Sequence, residues 1–194
     1  MKCCGYKDDF YPTENSPPAW FIPPIIPVKL TNKTIRDKKL QFNLTESVCG
    51  LTVSLCIVKR GFIVKFFAYN KDNEKCEYVF SNFPKIRQSL ADIRKNYNAN
   101  EVILQAKVLE NKNYYNIMPK ILAFALYIDG VEQPLQEMAC ILREYNIEIV
   151  PVLGINKVID EQTKENYSAQ SMLSNVPSKG IICTNRQKSL SFLL

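Results

Sequence analysis

A short polar turn between two apolar runs has the strongest chemical character in this chain. It reads Thr45-Glu46-Ser47-Val48-Cys49-Gly50 and lies between the runs 40–44 and 51–58. A serine hydroxyl becomes a nucleophile when a neighbouring base takes its proton, and the chain contains no histidine. Catalysis by Ser-His-Asp or Cys-His groups is therefore excluded, and the commonest zinc ligand is absent.

The elements that position this turn are predicted to be mainly strands. Apolar runs bounded by turn residues predict strands, and apolar residues spaced by three and four predict helices. Pro151 predicts an edge strand, because proline cannot donate to a sheet ladder. The predicted strands are 40–44, 51–58, 62–69, 76–80, 101–109, 120–128, 148–153, 180–184 and 189–194, and the predicted helices are 83–97 and 135–145. This pattern indicates an α+β fold of antiparallel sheets with a few helices.

The composition is that of one large domain with an N-terminal extension. The chain has 194 residues, of which 46% are hydrophobic, so a substantial core can form without metals. Its formal net charge of +6 is compatible with nucleic-acid binding. Seven scattered cysteines, an odd number, predict reduced thiols and an intracellular, reducing compartment. No apolar run approaches the ~20 residues of a membrane span, so no membrane partner is expected.

Residues 1–39 form the predicted extension, a proline-rich N-terminal arm, and residues 40–194 form the domain. Six of the 11 prolines fall within residues 1–27, which disfavours helix there. Trp20 is the only tryptophan and lies among these prolines. Two readings of Trp20 stay open, namely that it anchors the arm on the domain or that it binds a protein partner.

The turn resembles the first motif of the RNA ligases, a family of covalent nucleotidyltransferases. That motif reads Thr-Glu-Lys-hydrophobic-Asp/His-Gly, and Thr45, Glu46, Val48 and Gly50 fit it. The family's lysine is the nucleophile that takes AMP from ATP. Ser47 stands in its place here. The resemblance therefore implies a ligase-like domain, related to the nucleotidyltransferase domains of RNA and DNA ligases, whose reactive amine is missing.

Later motifs of the family are matched in their apolar residues and altered in their charged ones. The family's strand bearing Gly-Glu corresponds to one ending in Ala106-Lys107, and its Glu-Gly pair corresponds to Lys179-Gly180. Phe124 or Tyr127 takes the place of the aromatic that stacks on the base, with core packing as the alternative for both. The closing residues 191–194 offer no lysine for the transferred phosphate.

These substitutions together predict a catalytically degenerate domain that acts in binding or scaffolding. The degenerate nucleotide pocket comprises Glu46, Ser47, Gly50, Lys107, Phe124, Tyr127, Lys179 and Gly180. No metal and no cofactor are expected. An active ligase with displaced catalytic residues is the first alternative, and only that alternative requires ATP and Mg²⁺. A purely structural interaction protein is the second alternative.

RNA is the predicted partner if the former substrate groove still binds. Lys107 and Lys179 would make that groove cationic, with solvated surface lysines as the alternative. Basic side chains elsewhere are further candidates for phosphate contacts, although a solvated face explains them as well. These candidates are Lys59, Arg60, Lys65, Arg87, Arg94 and Lys95.

Overall fold

The computed structural model describes residues 28–29, 40–159, 163, 165, 170–185 and 190–193. Trp20 and residues 1–27 lie outside the described residues. The described strands are β1 (Val28–Lys29), β2 (Gln41–Glu46), β3 (Leu51–Arg60), β4 (Ile63–Asn70), β5 (Glu101–Leu109), β6 (Lys120–Ile128), β7 (Val131–Glu132), β8 (Glu148–Ile149), β9 (Val152–Val158), β10 (Ile181–Asn185) and β11 (Leu190–Leu193). The described helices are α1 (Tyr78–Asn82), α2 (Pro84–Asn96) and α3 (Leu135–Glu144).

A six-stranded sheet is built on the longest apolar runs of the chain. Its strand order is β4-β3-β5-β6-β7, and β8 pairs with β6 from outside this path. The pairs β4–β3, β3–β5, β5–β6 and β6–β7 are all antiparallel. Strands β3 and β5 are buried along most of their length, as expected of runs whose apolar residues cover both faces of a sheet. The predicted α+β class with antiparallel sheets is confirmed.

Two helices cover one face of this sheet and complete the main core. Helix α2 begins at Pro84, whose missing N–H costs nothing in the first turn. It buries Ile86, Leu90 and Ile93 in the same cluster as alternate residues of β3 and β5. Helix α3 adds Met138 to this cluster. The described helices pack on one face of this sheet only, so the polar residues of the opposite face are not covered by any of them.

A second, five-stranded sheet has the order β1-β11-β10-β2-β9. Strand β9 is at its edge. Pro151 separates β9 from β8, which pairs with β6 in the other sheet. The predicted single strand 148–153 is therefore two strands in two sheets.

The predicted strand 76–80 is wrong. Tyr78–Asn82 forms α1, which buries Val79 and Phe80. These are neighbours in sequence, and a short apolar pair of this kind fits a strand or a helix equally well. The ring of Phe80 packs edge-on against Phe66 at 5.6 Å, so tertiary packing decided the outcome.

None of the helices in the described part of the chain is both long and apolar enough to cross a membrane.

Candidate functional site

The polar turn crosses from one sheet to the other. Strand β2 ends at Glu46 in the five-stranded sheet, and β3 begins at Leu51 in the six-stranded sheet. The N–H of Glu46 donates to the carbonyl oxygen of Pro151, and the N–H of Ser47 donates to that of Gly180, both at 2.9 Å. The turn is thereby fixed to chain segments that are more than a hundred residues away in sequence.

Gly50 is required by a close backbone approach. A Cβ atom at this position would lie 2.8 Å from the carbonyl oxygen of Val108 and 2.9 Å from a methyl carbon of Leu109. Any side chain would therefore push the turn away from β5. The glycine brings the turn into contact with the end of the strand that carries Lys107.

The Glu46 carboxylate is buried, with the residue only 1% exposed. Its Oε2 atom accepts a hydrogen bond from the N–H of Met172 at 2.9 Å. Its Oε1 atom is also buried and has no hydrogen-bond partner among the described residues. Burying such an oxygen without a donor costs free energy. Glu46 therefore ties the segment 170–180 to the turn and keeps one oxygen for a further donor.

Tyr115 supports the turn from the loop between β5 and β6. Its hydroxyl oxygen accepts a hydrogen bond from the N–H of Cys49 at 2.8 Å. Tyr115 is only 1% exposed. Burial raises the pKa of Tyr115 to about 12, although the Cys49 N–H works in the opposite direction. The hydroxyl is therefore neutral at physiological pH and acts as a fixed hydrogen-bonding group.

Lys107 lies on the face of the six-stranded sheet that the helices leave uncovered. It is directly opposite Thr52 in the β3–β5 register, and its Nζ donates to the Thr52 hydroxyl at 2.6 Å. Burial lowers the pKa of Lys107 below its ordinary value. The charge of Lys71 also lowers it, while Cys49 has the opposite effect. A half-buried amine with two N–H groups left over can bind an anion.

Lys179 is exposed and lies on an aromatic ring of the same neighbourhood. Its Nζ is 4.1 Å from the centroid of Tyr114, within the range of a cation–π contact. The Tyr114 hydroxyl donates to the Pro177 carbonyl oxygen at 3.0 Å. The Tyr114 and Tyr115 rings meet edge to face at 5.2 Å. Contacts therefore run from Lys179 through the two tyrosines to the turn that also adjoins Lys107.

The two predicted base-stacking aromatics belong to apolar clusters. Tyr127 is buried on β6, among a cluster that includes Phe67 and Ile103. Phe124 is half-buried and packs against this cluster and also against the one around Tyr115. Phe124 is thus the nearer of the two to the turn.

The other predicted RNA contacts are separated from the turn. Lys59 and Arg60 end β3, eight and nine residues from Leu51, or about 26 to 30 Å along the strand. Lys65 is opposite Val58, near the same far end. The remaining three basic residues are on α2. The guanidinium of Arg87 lies 4.4 Å from the centroid of the Phe66 ring. Arg94 donates to the Ala99 carbonyl oxygen at 3.3 Å, and Lys95 is exposed.

The turn offers a single carboxylate, Glu46, as a possible metal ligand. Within the described ranges, no three His, Cys, Asp or Glu side chains converge in a way that could hold a metal ion. Glu46 offers one available carboxylate oxygen, so a Mg²⁺ ion here would depend on substrate phosphates and water for its other ligands.

Sequence reasoning missed the groups that hold the turn in place. Tyr115, Tyr114 and the N–H of Met172 were not predicted to act at the site. The only available signal was the adjacent tyrosine pair in the polar loop 110–116. The contacts of Glu46 with Met172 and of Cys49 with Tyr115 span 126 and 66 residues of sequence.

The fold is similar to that of an RNA ligase from Naegleria gruberi. A lysine-to-methionine mutant of that ligase with AMP and Mn gives a TM-score of 0.71 at 15% identity, covering 92% of this chain and 57% of the ligase chain. An aspartate-to-alanine mutant in the apo form gives 0.72 at 15% identity, covering 92% and 56%. A lysine-to-alanine mutant with ATP and Mn gives 0.71 at 16% identity, covering 93% and 58%.

The chain thus spans less than two thirds of the length of these ligase chains. No protein-family model matches the chain, and no curated protein matches it in sequence. At this level of identity the similarity establishes the fold. The chain has an RNA ligase-like nucleotidyltransferase fold, as its polar turn and the order of its strands predicted.

Proposed function

We propose that this chain is a catalytically degenerate RNA ligase-like domain that binds RNA phosphates in a cationic groove beside the turn. The observation that carries the proposal is the pair of lysines bordering the turn, Lys107 and Lys179. The turn between them has Ser47 where the first RNA ligase motif has its reactive lysine.

Ser47 is a poor substitute for a nucleophilic lysine. Its side chain is too short to reach where a lysine amine would be, and its hydroxyl needs a base that the histidine-free chain does not offer as imidazole. The Ser47 side chain makes no hydrogen bond to another described residue, so no base among them is in place to take its proton. These facts support binding without nucleotide transfer.

The charges at the site favour a phosphate. Lys107 has one hydrogen bond to Thr52 and two further N–H groups, and its half-buried position weakens competition from water. Lys179 adds a second positive charge from across the tyrosine pair. Glu46 is the only acidic residue of the turn 45–50, so the two lysines outnumber it. Phosphate contacts from lysine dominate nucleic-acid affinity and make it sensitive to salt.

The test is a fluorescence anisotropy titration with single-stranded RNA at several salt concentrations. The variant Lys107→Glu/Lys179→Glu is compared with the control Lys75→Glu/Lys157→Glu, which makes the same charge change at exposed positions. Losing two phosphate contacts should reduce the slope of log affinity against log salt by about 1.4, at ~0.7 per phosphate for single strands. Equal affinity and slope in both variants would refute the proposal, provided that circular dichroism shows both folded.

A protein scaffold is the second candidate, favoured by one specific feature. Phe62 is fully exposed at the tip of the β3–β4 hairpin, and the next residues, Ile63 and Val64, are also exposed. An exposed apolar strip is typical of a protein-interaction surface. Absence of RNA binding in the wild-type chain at low salt would favour this candidate over the first.

A further inference from the structure

A cavity lies beyond the end of β5, beside the junction of two helices. Its volume is about 460 Å³, and its lining includes Asn82, Phe83, Glu110, Asn111 and Pro119. Asn82 and Phe83 come from the junction of α1 and α2, and the other three residues come from the loop between β5 and β6. The cavity is within the usual size range for small-molecule sites.

The lining combines two flat apolar groups with three polar ones. The rings of Phe83 and Pro119 can contact the face of a planar ligand, and aromatic rings are the common stacking partners of unpaired bases. The amides of Asn82 and Asn111 offer donors and acceptors, and neither side chain makes a hydrogen bond to another described residue. Glu110 offers acceptors only.

Tyr78 lies near Glu110 at the rim. The pKa of Tyr78 is raised, first by burial and then by the Glu110 charge, so the tyrosine is neutral at physiological pH. The Glu110 carboxylate keeps acceptor capacity for a ligand.

We propose that this cavity binds a guanine base, as presented by single-stranded RNA; as an RNA site, it rests on the proposed function. The Watson–Crick edge of guanine carries two adjacent donors, N1–H and the N2 amino group, and one acceptor, O6. The donors match the Glu110 carboxylate, and O6 matches an asparagine amide. Adenine presents an unprotonated N1 at the same place, which a carboxylate repels.

The cavity is within reach of an RNA strand bound at the turn. Glu110 follows Lys107 by three residues, which is about 10 Å along an extended strand. Lys107 lies on the uncovered face of the sheet and Phe83 on the helix-covered face. An RNA strand with a phosphate at Lys107 would therefore pass around the end of β5 to place a base in the cavity. Lys112, exposed in the same loop, adds a positive charge beside it.

The experiment titrates the full chain with guanosine 5′-monophosphate and, separately, with adenosine 5′-monophosphate, monitored by amide chemical shifts in NMR. Shifts at Asn82, Phe83 and Asn111 are expected with the guanine nucleotide. Glu110→Gln should weaken this binding by roughly tenfold, as expected for loss of a bidentate base contact. The control Glu137→Gln removes the charge of an exposed glutamate on α3 and should leave the affinity unchanged.

The same variants are then measured with two RNAs that differ by one guanine-to-adenine change. Guanine-nucleotide binding at the cavity without any RNA binding would support the guanine site and refute the proposed RNA function. RNA binding that depends on Lys107 but is indifferent to guanine and to Glu110→Gln would overturn the guanine site and leave the proposed function standing. Equal shifts with both nucleotides, or none with either, would also overturn it.

Discussion

Replacing Tyr115 with phenylalanine should destabilise the domain by removing one buried hydroxyl. The change keeps the ring, which is 1% exposed, and removes the oxygen that accepts the Cys49 N–H at 2.8 Å. An unsatisfied buried donor costs about 1 to 3 kcal/mol. For a domain of this size each kcal/mol lowers the melting temperature by roughly 2 to 4 °C. Urea denaturation followed by circular dichroism measures the loss directly.

The matched control is Tyr114→Phe. Its hydroxyl donates to the Pro177 carbonyl oxygen, but Tyr114 is 38% exposed, so water replaces that contact. We expect a change within about 0.5 kcal/mol. Amide hydrogen exchange at Cys49 should accelerate in Tyr115→Phe and stay unchanged in the control. Equal stability of the two variants, with unchanged exchange at Cys49, would refute the role given to Tyr115.

Three further outcomes are expected. RNA affinity should fall as the pH rises, and the fall should begin below the ordinary lysine pKa of 10.5. The reason is that burial lowers the pKa of Lys107, and the neutral amine no longer attracts phosphate. A fall that begins at the same pH in Lys107→Gln would contradict this. Of the cysteines in the described part of the chain, native alkylation should modify the exposed Cys140 before Cys183, since burial raises the Cys183 pKa to about 12. Mass spectrometry of digests gives the order, and the reverse order would count against it. Gly50→Ala should lower the unfolding free energy by about 1 to 3 kcal/mol because its Cβ meets the Val108 carbonyl oxygen; an unchanged urea midpoint would contradict that contact.

The sheets could be predicted from the sequence because their strands carry a strong local signal. Strands β5 and β6 have the predicted bounds, 101–109 and 120–128, since each is a long apolar run between polar turns. The predicted strand 148–153 is instead two strands, because Pro151 lies between β8 and β9, which pair in different sheets. The run 76–80 carried no such signal, and its helix depends on packing against Phe66.

The site was less accessible to sequence reasoning than the fold. The polar turn itself is a local motif and could be read directly. Its supports come from distant segments: the Met172 N–H for Glu46, and the Tyr115 hydroxyl for Cys49. Lys59 follows the turn by only nine residues and yet lies at the far end of β3, as expected for an extended strand. An extended strand separates residues that a linear reading places together.

The most direct test of the central proposal is whether the chain takes AMP from ATP. Intact-mass spectrometry after incubation with ATP and Mg²⁺ measures this, with an active RNA ligase as the positive control. We predict an unmodified mass for the wild type, and for Ser47→Lys as well, since Lys107 and Lys179 remain where the resembling motifs have carboxylates. A lysine–AMP peptide recovered from the wild-type chain would contradict the account.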